Sequence, residues 1–305
     1  MANPTILQSG DFATTGNDPP KVRLPDRQLF SRRARRLRQL ATGHSMADYL
    51  RFAAALAEAQ QQQLKQLPVP PLPDQNVLEQ CRQHHMPLLA PAGWPRDPIW
   101  RTVAQRLTEA LDAVAPAPAH AAFARLRAAE TDWLEAQAES LLSEGRSNLD
   151  LACAPVIGAA LQVYWVRLAA ALDPAWIPPP ATPSLCPVCG APPVASAVGG
   201  AGDADSGLRY LHCALCGSEW HAVRAQCSQC DNDKGLVYFA VENDQQPIQA
   251  EACPECGSYL KLCRRDQESA MEPLADDLAS LALDLLMSEE KFARSGVNYW
   301  MLPSG

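Results

Sequence analysis

No apolar run in the chain approaches the ~18 residues a membrane-spanning helix needs, because Arg, Glu or Pro interrupts each candidate. Stable membrane insertion is therefore not expected. The opening residues MANPTILQSGDF lack both a basic start and an apolar centre, so no secretory leader is expected and the cytoplasm is the expected compartment. Basic charge is in deficit, with Lys+Arg 26 against Asp+Glu 34 and a net charge of −8. That balance disfavours a general nucleic-acid or anionic-membrane binder. Aromatics make up only 6% of the 305 residues, while Ala and Leu abound, which leans the chain toward helix. No nucleophile elbow, P-loop or metalloprotease motif occurs, so an enzyme is not expected.

With 47% apolar and 20% charged residues the chain is not disordered, and its length suits about two domains of ~150 residues. The first ~25 residues are polar and Pro-containing, which predicts a poorly ordered or loosely docked arm. Apolar spacing then predicts helices over 26–41, 45–67 (capped by Ser45), 75–84, 96–114, 118–143 and 149–172 (capped by Asp150), a bundle of five or six. Pro68, Pro70, Pro71 and Pro73 mark a stiff connector. The basic run Ser31–Arg38 reads as the wet face of an amphipathic helix, with an acidic partner or RNA as the functional alternative. Its paired arginines are not an export signal, since Arg51 and Glu58 interrupt the apolar run that would have to follow.

The Pro-rich segment 177–183 is the clearest boundary, because Cys, Gly and short β-like runs replace Ala/Leu helices directly after it. Beyond Cys263 a helix is predicted from Pro273 to about Arg294, with Leu274, Leu278, Leu281 and Leu285 on one face. The tail carries Tyr299, Trp300 and Leu302 and is expected to tuck into the protein; the alternative is that it serves a partner. These boundaries divide the chain into 1–180, 181–226, 227–265 and 266–305.

Eight of the eleven cysteines form four Cys-x-x-Cys pairs: Cys186/Cys189, Cys213/Cys216, Cys227/Cys230 and Cys253/Cys256. Two thiolates so spaced let one tight turn aim both sulfurs at one ion, and the next residue needs positive φ. Gly190, Gly217 and Gly257 occupy that slot, and Asp231 substitutes in the remaining knuckle. Gaps of 23 and 22 residues separate the knuckles within each half, an internal repeat offset by about 40 residues. Each gap reads as a hairpin: 195–198 with 208–211 around the turn 199–207, and 236–241 with 248–250 around the turn 242–247. Two knuckles joined by a hairpin make a zinc-ribbon or rubredoxin-like site, with four sulfurs around one ion.

The repeat favours sequential pairing of knuckles, and a crossed arrangement stays open. Spacing does not separate iron from zinc, since both accept four thiolates. His212 and His221 are expected beside the ligands rather than among them, and Cys81 and Cys153 as ordinary core thiols. Cys263 reads as a lone thiol, with a persulfide carrier as a weaker alternative. Tandem ribbons commonly bind nucleic acid, but residues 186–256 hold three basic against nine acidic side chains, a balance that repels phosphate. The fold expected is α+β: an N-terminal α-helical bundle, two tandem rubredoxin- or zinc-ribbon-like metal-binding β modules, and a C-terminal helix.

Further motifs narrow the reading. The stretches Leu185-Cys-Pro-Val-Cys-Gly-Ala-Pro-Pro193, Leu208-Arg-Tyr-Leu-His-Cys-Ala-Leu-Cys216 and Glu219-Trp-His-Ala-Val-Arg-Ala-Gln-Cys-Ser-Gln-Cys230 resemble the formate dehydrogenase accessory protein family FdhE. So do Glu272-Pro-Leu-Ala-Asp-Asp-Leu-Ala-Ser280, Ser295-Gly-Val-Asn298 and the Arg35-Arg-Leu and Tyr49-Leu-Arg-Phe helices, which extends the resemblance from about residue 28 onward. The resemblance implies a cytoplasmic, non-enzymatic maturation factor that contacts the catalytic subunit of a respiratory, molybdenum-containing formate dehydrogenase before its export. It implies that the eight paired cysteines are metal ligands and that iron is the metal. An iron-dependent redox protein is the second reading, and a nucleic-acid-binding ribbon the third.

Overall fold

The computed structural model describes residues 5–6, 20–92, 94–143, 148–180, 182–199, 207–241 and 247–301. Among these, seven α-helices precede the first knuckle: α1 (Leu29–Leu40), α2 (Ala47–Gln66), α3 (Gln75–Gln83), α4 (Ile99–Leu111), α5 (Ala117–Ala128), α6 (Thr131–Leu142) and α7 (Ala154–Ala169). Helix α7 is apolar nearly all round, the pattern of a fully enclosed helix, and α2, α4 and α6 pack against it.

Several local expectations are corrected. The single helix expected over 118–143 is two, because Ala129 and Glu130 are extended (ψ 136° and 152°). The break lets α5 pack on α4 while α6 packs on α7. Helix α2 starts after Met46 without a side-chain cap, so Ser45 does not cap it; in the turn before it the Met46 N–H donates to His44 Nδ1 (3.0 Å). Asp150 accepts from the backbone N–H groups of Ala152 and Cys153 in the turn before α7, but the helix itself begins at Ala154 after Cys153 and has no side-chain cap. Cys153 is buried, but Cys81 is only half-buried, on an α3 that has no fully buried residue.

The basic run is not simply a solvated face. Arg33 and Arg36 are buried, Arg33 against Glu272 (3.0 Å) and Arg36 against Asp276 (2.6 Å) and Glu268. Arg32, Arg35 and Arg38 stay exposed on the same helix.

The two β modules share one sheet. Its strands are β1 (Thr5–Ile6), β2 (Val22–Arg23), β3 (Pro193–Val198), β4 (Arg209–Cys213), β5 (Glu219–Ala222), β6 (Val237–Phe239), β7 (Ile248–Cys253), β8 (Ser258–Arg264) and β9 (Ala293–Arg294). The order is β1-β6-β7-β8-β3-β4-β5-β2, with β9 alongside β8. Both expected hairpins form, and each gains a third strand after its second knuckle, β5 and β8. The halves join through parallel pairing of β3 with β8, from Ala195↔Lys261 to Val198↔Arg264. Every residue of β3 is buried, with β4 and β8 along its two edges and α8 packed against it. Residues 200–206 and 242–246 of the two turns lie outside the described residues.

The arm is docked where it is described: β1 pairs with β6, and β2 pairs with β5. Residues 1–4 and 7–19 lie outside the described residues. The expected C-terminal helix is also two, α8 (Pro273–Ala279) and α9 (Leu281–Glu289). The Lys261 ammonium donates to the carbonyls of Asp277 and Ser280 (2.9 and 3.1 Å), drawing the end of α8 onto the sheet. After the bend at Ser280 the buried face becomes Leu283 and Met287, and Leu285 is left 61% exposed. Tyr299 and Trp300 are buried, so the tail tucks; Leu302 lies outside the described residues.

Candidate metal centres

All four knuckles close the same way. The N–H of Gly190 donates to Cys186 O (2.7 Å), that of Gly217 to Cys213 O (3.2 Å), that of Asp231 to Cys227 O (3.1 Å) and that of Gly257 to Cys253 O (2.9 Å). Each closing residue has positive φ: 76°, 69°, 59° and 67° in that order. Only glycine enters that region without strain, and Asp231 enters it as one of the better-tolerated alternatives.

The turns bring the sulfurs together in two groups. Cys186, Cys189, Cys213 and Cys216 form centre 1, and Cys227, Cys230, Cys253 and Cys256 form centre 2, with all sulfurs of a group within 4.8 Å of one another. The pairing of knuckles is thus sequential, not crossed. Across the knuckles, Sγ–Sγ distances are 3.6 Å (Cys186–Cys216), 3.4 Å (Cys189–Cys213), 3.8 Å (Cys227–Cys256) and 3.7 Å (Cys230–Cys253). A disulfide would need ~2.05 Å. A tetrahedron with metal–sulfur bonds of ~2.3 Å has edges of ~3.8 Å, so both groups fit one four-coordinate ion. Burial pushes the Cys186 and Cys189 thiols well up, whereas at Cys216 burial is outweighed by hydrogen bonds from its neighbours, which bring that thiol well down. A bound cation is what would hold Cys186 and Cys189 as thiolates.

The two centres differ in setting. All four sulfur-bearing residues of centre 1 are at 0% exposure, within the main core. Gly217 lies against α1, and Gln162 of α7 donates to Ala214 O (2.7 Å) between Cys213 and Cys216. In centre 2, Cys227 and Cys253 are buried while Cys230 and Cys256 are exposed. Among the described residues its apolar support is a small cluster of Cys227, Leu236 and Cys253 with Tyr238 against it.

Two serines that the Cys-x-x-Cys spacing does not single out lie against the sulfurs. Ser218 Oγ lies 3.2 Å from Cys216 Sγ, and Ser258 Oγ lies 2.9 Å from Cys256 Sγ. Partial burial alone would raise Cys256, but the Ser258 bonds lead the groups that bring its thiol down to about 7. The signal was present in the repeat, since Cys-Gly-Ser occurs at both 216–218 and 256–258. His212 sits beside Glu219 (3.4 Å) and His221 stacks edge-on to Tyr210, both outside the sulfur groups. Cys263 also lies outside them, at 0% exposure, with its thiol raised by burial, which suits neither a ligand nor a sulfur carrier.

Profiles of the FdhE N-terminal, central and C-terminal domains match residues 19–181, 185–224 and 225–301. The chain belongs to the FdhE family. This is the formate dehydrogenase accessory protein family that the sequence motifs resemble. An FdhE homolog of Pseudomonas aeruginosa is 40% identical over 99% of each chain. One of Pectobacterium carotovorum is 41% identical over 98% of this chain and 95% of its own. The crystal structure of the FdhE protein from Pseudomonas aeruginosa superposes with a TM-score of 0.85, covering 94% of this chain and all of that one at 40% identity. No helix of this FdhE chain, among the described residues, is long and apolar enough to cross a membrane.

Proposed function

We propose that the chain is a cytoplasmic maturation factor for a respiratory formate dehydrogenase, that it binds the catalytic subunit of that enzyme without catalysing a reaction, and that it holds two metal ions through eight cysteines. The supporting observation is the pair of ready-formed four-sulfur groups in a chain that matches the FdhE family along nearly its whole length. Cys186, Cys189, Cys213 and Cys216 hold one ion; Cys227, Cys230, Cys253 and Cys256 hold the other. Sites with four protein ligands leave no open position for substrate, which accords with a non-catalytic role.

Iron is the proposed metal in both centres. The exposed sulfurs of Cys230 and Cys256 favour a second reading, in which centre 2 exchanges an electron with the client. Metal analysis of anaerobically purified protein is expected to give two equivalents of iron. Pull-down from cells making the enzyme is expected to recover its catalytic subunit, and failure to do so overturns the accessory role. Two equivalents of zinc, in a colourless protein that still supports client activity, overturns both the iron assignment and the redox reading and leaves the accessory role standing.

A further inference from the structure

Beside centre 1 lies a cleft of about 530 Å³ where the start of α1, the loop before it and the segment entering α8 meet. Arg23, Arg32, Arg35, Arg36 and Arg265 line it, an unusual density of guanidinium on a chain of net charge −8. Three carboxylates also line it: Asp26 pairs with Arg32, Glu219 with Arg265, and Glu272 with the neighbouring Arg33. Arg35 is exposed with no ionic or hydrogen-bond partner among the described residues. His212 also lines the cleft; it is 2% exposed, and its Nε2 is a buried polar atom without a hydrogen-bond partner. A buried imidazole nitrogen calls for a partner, either a water or a ligand group reaching in from the cleft.

The cleft continues into a second groove of about 640 Å³, which shares Arg35 and Gln39 and adds Lys65 and Arg38, the latter paired with Glu58 of the same groove. Cationic groups therefore follow one face of α1 from Arg32 to Arg38, a rise of ~9 Å. That spread matches carboxylates spaced along an extended peptide rather than the concentrated charge of one polyphosphate. Arginine forks suit carboxylates, which they grip with two parallel hydrogen bonds.

We infer that this cleft and groove bind an acidic peptide segment of a protein partner, with Arg35 as its central contact. Identifying that partner with the formate dehydrogenase client rests on the function proposed above; the binding itself does not.

The test is fluorescence anisotropy of a fluorescein-labelled hexaglutamate peptide with the full-length, metal-loaded protein at moderate salt. Saturable binding is expected, weakened about tenfold by Arg35→Glu, the effect of losing a charge-assisted contact. Arg106→Glu on the exposed face of α4 makes the same charge change and is expected to stay within about twofold. Arg35→Ala is measured in parallel, and circular dichroism and metal content establish that each variant is folded. Absence of saturable binding, or equal weakening by the Arg35 and Arg106 variants, overturns the inference. Displacement by inorganic pyrophosphate at lower concentration than by unlabelled peptide also overturns it, making the cleft a small-anion site. Recovery of the client by a folded Arg35→Glu protein that no longer binds hexaglutamate removes the client from this groove and leaves the accessory role standing.

Discussion

The contrast between the two centres predicts that their metals leave at very different rates. A chelator reaching centre 1 must first open a site whose four cysteines are all at 0% exposure inside the main core. At centre 2, Cys230 and Cys256 already face solvent. If opening centre 1 costs only ~3 kcal/mol more than opening centre 2, its ion leaves ~100 times more slowly. The structural consequences differ as well. A four-thiolate ion contributes ~10–16 kcal/mol to folding, at or above the ~5–15 kcal/mol that holds a typical domain together. Loss at centre 1 should therefore unfold the sheet against α7, whereas loss at centre 2 should loosen only β6, β7 and the small cluster beneath them. The assay follows metal release to excess chelator together with far-ultraviolet circular dichroism. One equivalent should leave quickly with little change in ellipticity, and the second slowly with its collapse. Cys230→Ser should abolish the fast phase and leave the slow one in place. Release of both ions in a single phase, or removal of the fast phase by Cys186→Ser instead, would refute the reasoning.

Gly217→Ala should destabilise by ~2–4 kcal/mol in urea melts, because a Cβ there would stand 2.5 Å from Leu29 Cδ2 at a φ of 69°. Gly257→Ala has the same backbone strain and nothing within 4 Å, so it should cost only ~1–2 kcal/mol. Trp300→Ala should cost ~3–5 kcal/mol by the same measure, since the ring is 2% exposed and its Nε1 donates to Gln162. Asp277 is fully buried, which alone would raise its carboxyl, but Arg294 and Lys261 bring it from 3.8 down to about 2. Its ~2 kcal/mol contribution is therefore present above about pH 4 and lost as pH falls toward 2. Asp277→Asn should lower stability at pH 6 and flatten that acid slope, and an unchanged slope would assign the acid sensitivity elsewhere.

Period and punctuation made much of the molecule legible. The apolar spacing of α1, α2, α4 and α7 located those helices to within a few residues, and the 40-residue repeat located both hairpins and the knuckles that converge. What stayed hidden depended on contacts between distant segments. The parallel pairing of β3 with β8 leaves no local signature, so a single sheet reads as two tandem modules. The break at Ala129 is set by α5 and α6 having different partners, and the bend at Ser280 by a lysine on β8. The arginine run was read as solvated because its acidic partners lie more than 230 residues away. The stretch after the proline boundary also joins the helices in one core, to which Val194, Leu211 and Trp220 contribute, a long-range packing that no local pattern announces.

Those distant contacts make the C-terminal segment a tie between helices and sheet. Glu272 and Asp276 hold Arg33 and Arg36 of α1, while Asp277, one residue on, holds Lys261 of β8 and Arg294 of β9. Asn298 then donates to Asp277 Oδ2 (2.9 Å), which fixes the tail. From there Trp300 reaches Gln162 Oε1 (2.9 Å), which also accepts from Gln60 of α2 (3.0 Å). The amide of the same Gln162 donates to Ala214, inside the knuckle of centre 1. One buried glutamine thus joins two helices, the tail and a metal knuckle, and a buried polar network of that kind tolerates few alternative arrangements. It follows that neither the 266–301 segment nor the metal modules form a freely moving attachment to the bundle. A partner gripping the cleft along α1 would press on Arg36, and through Asp276 on the same C-terminal tie that steadies centre 1.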